Sequence, residues 1–148
     1  GGAAGGYGIL VRPEFSREYI LACLNSRLSE WFIRQTATRM QGGYYSFESR
    51  FIRHLPIRVI DLSDPADKGR HDRMVTLVES MLSLNKQLAV VNTGHEKTAL
   101  QRQIDATDRQ IDQLVCELYG LTDEEIAIVE AATESGKRGG REGSSRGT

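Results

Sequence analysis

Apolar residues recur along this chain in two kinds of stretch, short scattered runs before residue 60 and long runs at steps of three and four after residue 72. Ile20, Leu24, Leu28, Trp31 and Phe32 follow helical spacing, so one apolar face runs along a predicted helix to about Thr36. Ser16 is a suitable N-cap for it, with Phe15 and Ile20 placed as a hydrophobic staple. Arg17, Arg27 and Arg34 fall between the apolar positions and are expected to point outward.

Ile9-Leu10-Val11 reads as a short strand or extended entry after a glycine-rich start. Phe47, Phe51 and Leu55 share a face at four-residue steps, which predicts a short helix over roughly 47–54, capped by Ser46 and stopped by Pro56. Ile57-Arg58-Val59-Ile60 alternates and is β-branched, the pattern of a short strand. Asp61 to Arg70, with Pro65 and Gly69, reads as a polar loop.

Met74, Leu77, Met81, Leu84, Leu88 and Val91 keep alternating steps of three and four on a helix from about Asp72, the pattern of a coiled-coil seam. Asn92 to His95 interrupts it. Thr93 and Glu96 form a capping box, after which Leu100, Ile104, Thr107, Ile111, Leu114 and Leu118 carry the repeat to Tyr119. These helices would be about 30 and 36 Å long, enough to span about one turn of duplex DNA. A Gly-containing break this short permits an antiparallel hairpin, which is favoured here, or a kinked helix. Gly120 then serves as a C-cap, and Thr122 with Glu125 opens a short helix to about Ala132.

The predicted fold is therefore α+β and mainly α. Residues 1–60 form the C-terminal part of a recognition domain with short strands, 61–71 a linker, 72–132 a helical spacer and terminal helix, and 133–148 a disordered tail. At 148 residues there is chain for one modest core but not for a complete multidomain enzyme. The opening glycine in place of methionine predicts a fragment of something longer.

The net charge of −1 conceals an asymmetry. Residues 1–58 hold eight Arg against four Glu, a net of +4, and no Lys or Asp. Residues 59–132 hold seven basic against fourteen acidic groups, a net of −7, and the remainder adds +2. Only the N-terminal part should attract phosphate. The exclusive use of arginine there matters, because a planar guanidinium can pair in two-pronged fashion with phosphate or guanine and can stack on a base. The plainer alternative is that these arginines are solvated charges on helix faces.

No catalytic set emerges. His54, His71 and His95 are scattered, and the carboxylates of 105–130 suit helix exteriors and helix N-termini. Cys23 and Cys116 are far apart without neighbouring ligands, so buried thiols in a reducing cytoplasm are expected, not a disulfide or zinc site. No apolar run approaches the ~20 residues that cross a bilayer, which points to a cytosolic protein. GGAAGGYG lacks the spacing of a phosphate-binding loop.

The remaining signal lies between Arg39 and Arg53. Gly42 and Gly43 let the backbone approach a groove, Arg39 and Gln41 can read base edges, and Ser46 can donate to phosphate. Tyr44 or Tyr45 can stack or hydrogen-bond, while Arg50 and Arg53 add positive charge. The alternative is that the tyrosines and Phe47 fill a small core and the glycines make a turn.

Leu24-Asn25-Ser26, then GGYYSFESRFIRHLPI at 42–57 and ATDRQIDQLVCELYGLTDEEIAIVE at 106–130, resemble the C-terminal, TaqI-like specificity region of adenine-specific DNA methyltransferases and fused restriction-modification enzymes. The opening GGAAGGYGI resembles that family's glycine-rich entry, and the likeness covers nearly all of the chain but its tail. It implies a target-recognition domain that docks on double-stranded DNA through Arg39, Gln41, Gly43, Tyr44, Tyr45, Ser46, Arg50 and Arg53.

The resemblance also implies partner catalytic domains, in the same or an associated chain, that use S-adenosylmethionine for methylation and Mg for cleavage. The family's [NDS]PP[YFW] motif, its glycine-rich S-adenosylmethionine motif and a PD…(D/E)xK nuclease centre do not occur in these residues. The chain is thus expected to hold no cofactor and neither to methylate nor to cut DNA by itself. From a different class, the heptads suggest a coiled-coil protein–protein interaction module in which the basic half is incidental.

Overall fold

A computed structural model describes residues 9–37 and 52–139 of the chain. Among them are five helices, α1 Arg17–Asn25, α2 Arg27–Thr36, α3 Pro65–Val90, α4 Gly94–Leu118 and α5 Asp123–Gly139, and no strand. The α+β expectation is therefore corrected to an all-helical architecture over the described residues.

The two expected strands fail for want of partners. Ile9 and Leu10 lie in irregular chain, Leu10 98% exposed, and among the described residues no strand meets them. Residues 57–60 are irregular chain whose backbone is held by tyrosine side chains from the helices. The Arg58 N–H donates to Tyr119 Oη at 3.1 Å, and Tyr19 Oη donates to the Arg58 carbonyl at 2.7 Å. A segment whose polar backbone groups are satisfied in this way needs no ladder.

Pattern predicts one helix over 16–36, whereas the chain breaks at Ser26, whose φ of −70° and ψ of 155° are extended. Ser26 Oγ donates to the Cys23 carbonyl at 2.8 Å and accepts from the Ser29 N–H at 3.3 Å, so one hydroxyl ends α1 and caps α2. From 85 residues away, Asp112 Oδ1 accepts the Arg27 N–H at 2.8 Å and Asp112 Oδ2 lies 3.2 Å from Arg27 Nε. A carboxylate at a helix N-terminus satisfies an orphan N–H and meets the positive end of the dipole.

Of the expected loop over 61–70, residues 61–64 are turn, while 65–70 are the start of α3. Asp64 caps it by accepting from the Ala66 N–H at 3.1 Å, and Pro65 occupies the first helical turn, where its missing N–H costs nothing. Both expected threonine N-caps form, and at the second the glutamate also accepts the Thr122 N–H at 2.8 Å, which completes that capping box. Thr93 Oγ1 accepts from the Glu96 N–H and donates to its carboxylate at 2.6 Å, and Thr122 and Glu125 do the same at the start of α5. Gly120, at φ +65°, makes the left-handed turn that ends α4, with the Leu121 N–H reaching back to the Cys116 carbonyl at 3.1 Å. Helix α5 continues to Gly139, past the expected end at Ala132.

Helices α3 and α4 form an antiparallel hairpin. At its tip a cavity is lined by Val90, the last residue of α3, its C-cap Val91, and Glu96, Ala99 and Leu100 of α4. At its base Met74 and Val78 meet Ile111, Leu114, Val115 and Leu118, and α1 closes this cluster with Tyr19, Ala22 and Cys23. Met74 is 0% exposed and is among the largest fully buried side chains. Among the described residues the tip half of the hairpin has no third layer, and its seam residues Leu84, Leu88 and Leu100 are half-buried. Helix α2 packs mainly against α5, where Ile33, Val129 and Thr133 are buried. No described helix is long and apolar enough to cross a membrane.

Candidate nucleic-acid interface

Of the residues proposed to touch DNA, Arg39, Gln41, Gly43, Tyr44, Tyr45, Ser46 and Arg50 lie outside the described residues, as does most of the helix expected over 47–54. Arg53 is placed. It sits with His54 on the exposed corner of a turn closed by the Leu55 N–H donating to the Ile52 carbonyl at 3.0 Å. The described frame on either side of the segment is α2, which ends at Thr36, and the stretch 52–60, which follows the segment back to the core.

That return stretch is bolted to three helices. Tyr119, the C-cap of α4, donates its hydroxyl to the Pro56 carbonyl at 2.5 Å while accepting the Arg58 N–H. Tyr19 of α1 takes the Arg58 carbonyl. Arg58 Nη1 and Nη2 both lie 3.0 Å from Asp67 Oδ1 on the first turn of α3. Asp67 is 3% exposed, accepts also from Arg70 Nη2 at 2.8 Å, and takes the Asp61 N–H on its other oxygen at 3.2 Å. Hydrogen bonds from Arg70 and then Arg58 hold its carboxyl well below the usual carboxylate range, at about 2. Burial pushes both Tyr19 and Tyr119 upward, so each phenol stays a hydrogen-bond donor at neutral pH.

The arginines divide sharply. Arg27 is paired with Asp112, Arg34 with Glu30 and the Ala132 carbonyl, and Arg58 with Asp67. Arg27 and Arg34 thus join helices, where they were expected to point outward, and Arg58 joins the 57–60 stretch to α3. Arg12, Arg17 and Arg53 are exposed, and Arg39 and Arg50 lie outside the described residues. The basic excess available to a polyanion is thus smaller than the count suggests, and it is carried by fewer positions.

Two apolar concavities flank the return stretch. One, of about 470 Å³, lies between Phe15, Tyr19 and Ile20 of the α1 end, Ile57 of the return stretch, Leu62 of the turn after it, and His71 of α3. The other, of about 230 Å³, is lined by Leu28, Trp31 and Phe32 of α2 together with Leu55, Pro56 and Tyr119. Cys23 and Cys116 are buried and unpaired with one another, with burial pushing both thiols up. No three His, Cys, Asp or Glu side chains among the described residues converge as metal ligands.

Pattern reading missed Tyr119, Asp67 and Asp112 as parts of this frame. Tyr119 reads only as the end of the repeat and Asp67 as loop polarity, because their partners lie 63 and 9 residues away in sequence. One signal was available, since a Tyr just before a helix-ending Gly is a polar-tipped aromatic at a fixed helix end.

No family model matches the chain, and no solved structure matches it. Among curated proteins it is similar to the type II restriction enzyme and methyltransferase RM.Eco57I of Escherichia coli, with 29% identity over 134 residues. The match covers 87% of this chain but 13% of the relative, so the chain spans about an eighth of that protein's length. The likeness supports an origin related to restriction-modification enzymes.

Proposed function

We propose that the chain is the DNA-sequence-recognition part of a site-specific adenine methyltransferase or restriction enzyme, with Arg39, Gln41, Gly43, Tyr44, Tyr45, Ser46, Arg50 and Arg53 at the duplex. The observation that carries this reading is the likeness to RM.Eco57I across most of the chain, in a part amounting to 13% of the relative's length. The rigid return stretch is consistent with it, because side chains that read base edges need a fixed base. Arg and Lys contacts to phosphate position such a domain, and groups at the groove edge supply selectivity.

The α3–α4 hairpin is the spacer in this account. At its base the heptad faces pack on each other, Met74 and Val78 against Ile111 and Leu114, which accounts for that part of the repeat without a second chain. S-adenosylmethionine and Mg belong to the catalytic domains with which the part would work, and no chemical step is assigned to the residues described here.

The direct test is titration of a fluorescent duplex with the purified chain. Binding that is competed by unlabelled duplex and abolished in a combined Arg39→Ala, Arg50→Ala and Arg53→Ala variant is expected. A chain that is helical and folded yet binds no duplex at low salt contradicts the proposal.

A further inference from the structure

We infer that Tyr119 is a positioning residue for DNA recognition, a phenol on the end of α4 that fixes how the turn carrying Arg53 is presented. The inference rests on the reading above.

The anchor itself is rigid. The Tyr119 N–H donates to the Val115 carbonyl at 3.1 Å, the Gly120 N–H to Glu117 and the Leu121 N–H to Cys116, so the chain on both sides of the phenol is tied to the last turn of α4. Helix α4 is in turn buried at its base by Leu114, Val115 and Leu118.

From that anchor one hydroxyl serves both of its partners at once, donating to the Pro56 carbonyl and accepting from the Arg58 N–H. Pro56 directly follows the turn in which Leu55 bonds back to Ile52, and Arg53 stands at that turn's exposed corner. Arg58 has two further holds, Tyr19 Oη on its carbonyl and Asp67 on its guanidinium. The Pro56 carbonyl has Tyr119. Removal of the Tyr119 hydroxyl therefore leaves Arg58 docked and loosens the side of the stretch nearest Arg53.

The aromatic ring has a separate duty. It lines the smaller cavity with Trp31, Phe32, Leu55 and Leu121, so Tyr119→Phe keeps the packing while deleting the two hydrogen bonds. Tyr19→Phe is the control, because it deletes a bond downstream of Arg58 and leaves Pro56 held.

The experiment first selects a preferred sequence by binding the wild-type chain to a pool of randomised duplexes. Affinity is then measured for that duplex and for a scrambled one. Tyr119→Phe is expected to stay helical, to bind the scrambled duplex as the wild type does, and to lose about tenfold in the preferred-to-scrambled ratio. Arg53→Ala should cost less in the Tyr119→Phe background than in wild type, since the two act through one turn. Leu55→Gly, which loosens the same turn from within, should lower the ratio in the same way and serves if Tyr119→Phe does not fold.

An unchanged ratio in Tyr119→Phe, or in Leu55→Gly, overturns the inference while leaving the recognition reading intact. Additive losses in Tyr119→Phe and Arg53→Ala also overturn it. A wild-type chain that binds no duplex, or selects no sequence, overturns both.

Discussion

Arg58 and Asp67 are joined through a single carboxylate oxygen, with both terminal guanidinium nitrogens 3.0 Å from Asp67 Oδ1. This pair, buried on the Asp67 side and half-exposed on the Arg58 side, ties the stretch at 57–60 to the first turn of α3, with Arg70 on the same oxygen. It also removes Arg58 from the set of cations available to a polyanion.

Acid should undo this link in a defined window. Asp67 is held at about 2 in the folded chain, against about 3.9 in an unfolded one. Its contribution is fully present above about pH 4 and is lost as pH falls through about 2. Asp67→Asn should therefore flatten the fall in Tm between pH 4 and 2. Asp61 and Asp72 are also held low, Asp61 by Ser63 and Asp72 by Lys68, but they remain in both proteins. An equally steep fall in the variant contradicts the assignment.

Asp112 should behave as a distant cap for α2. Asp112→Ala deprives the Arg27 N–H of its acceptor and the guanidinium of its ion-pair partner, and should cost about 1 kcal/mol in urea denaturation. Asp112→Asn keeps an oxygen for the N–H and should recover part of that loss. No difference between Ala and wild type would show that the break at Ser26 is set locally.

The hairpin should be unequal along its length. Met74→Ala, at a position with no exposure, should destabilise by about 2–5 kcal/mol, and Leu88→Ala in the two-helix half by clearly less. Amide exchange should follow the same gradient, fast for residues 84–104 and slow for 107–118. Uniform protection along α4 would mean that something further covers the tip.

The helical part was readable because it rests on local chemistry. The apolar steps of α3 and α4, the Thr93 and Thr122 N-caps and the Gly120 stop each act within a few residues. The failures share a cause, since each turned on a distant partner. The β-branched run at 57–60 became irregular because Tyr19 and Tyr119 took its backbone, and the helix over 16–36 divided at Ser26 with Asp112 waiting at the new N-terminus. Pro65 and Gly69 suggested a loop, yet Pro at a first helical turn and one interior Gly are tolerated in a helix held by Asp64 and Asp67. For the candidate site, Arg53 alone falls within the described residues, and pattern reading had no means of foreseeing that Arg27, Arg34 and Arg58 would be taken up by Asp112, Glu30 and Asp67.

The most direct measurement of the central claim is the dependence of duplex affinity on salt, for the wild-type chain and for Arg53→Ala, Arg50→Ala and Arg58→Lys. A log–log slope that falls by about one for each of Arg50 and Arg53, and stays unchanged for Arg58→Lys, is the predicted result. Affinity that is insensitive to salt, or slopes that Arg50→Ala and Arg53→Ala leave where they were, would contradict the account.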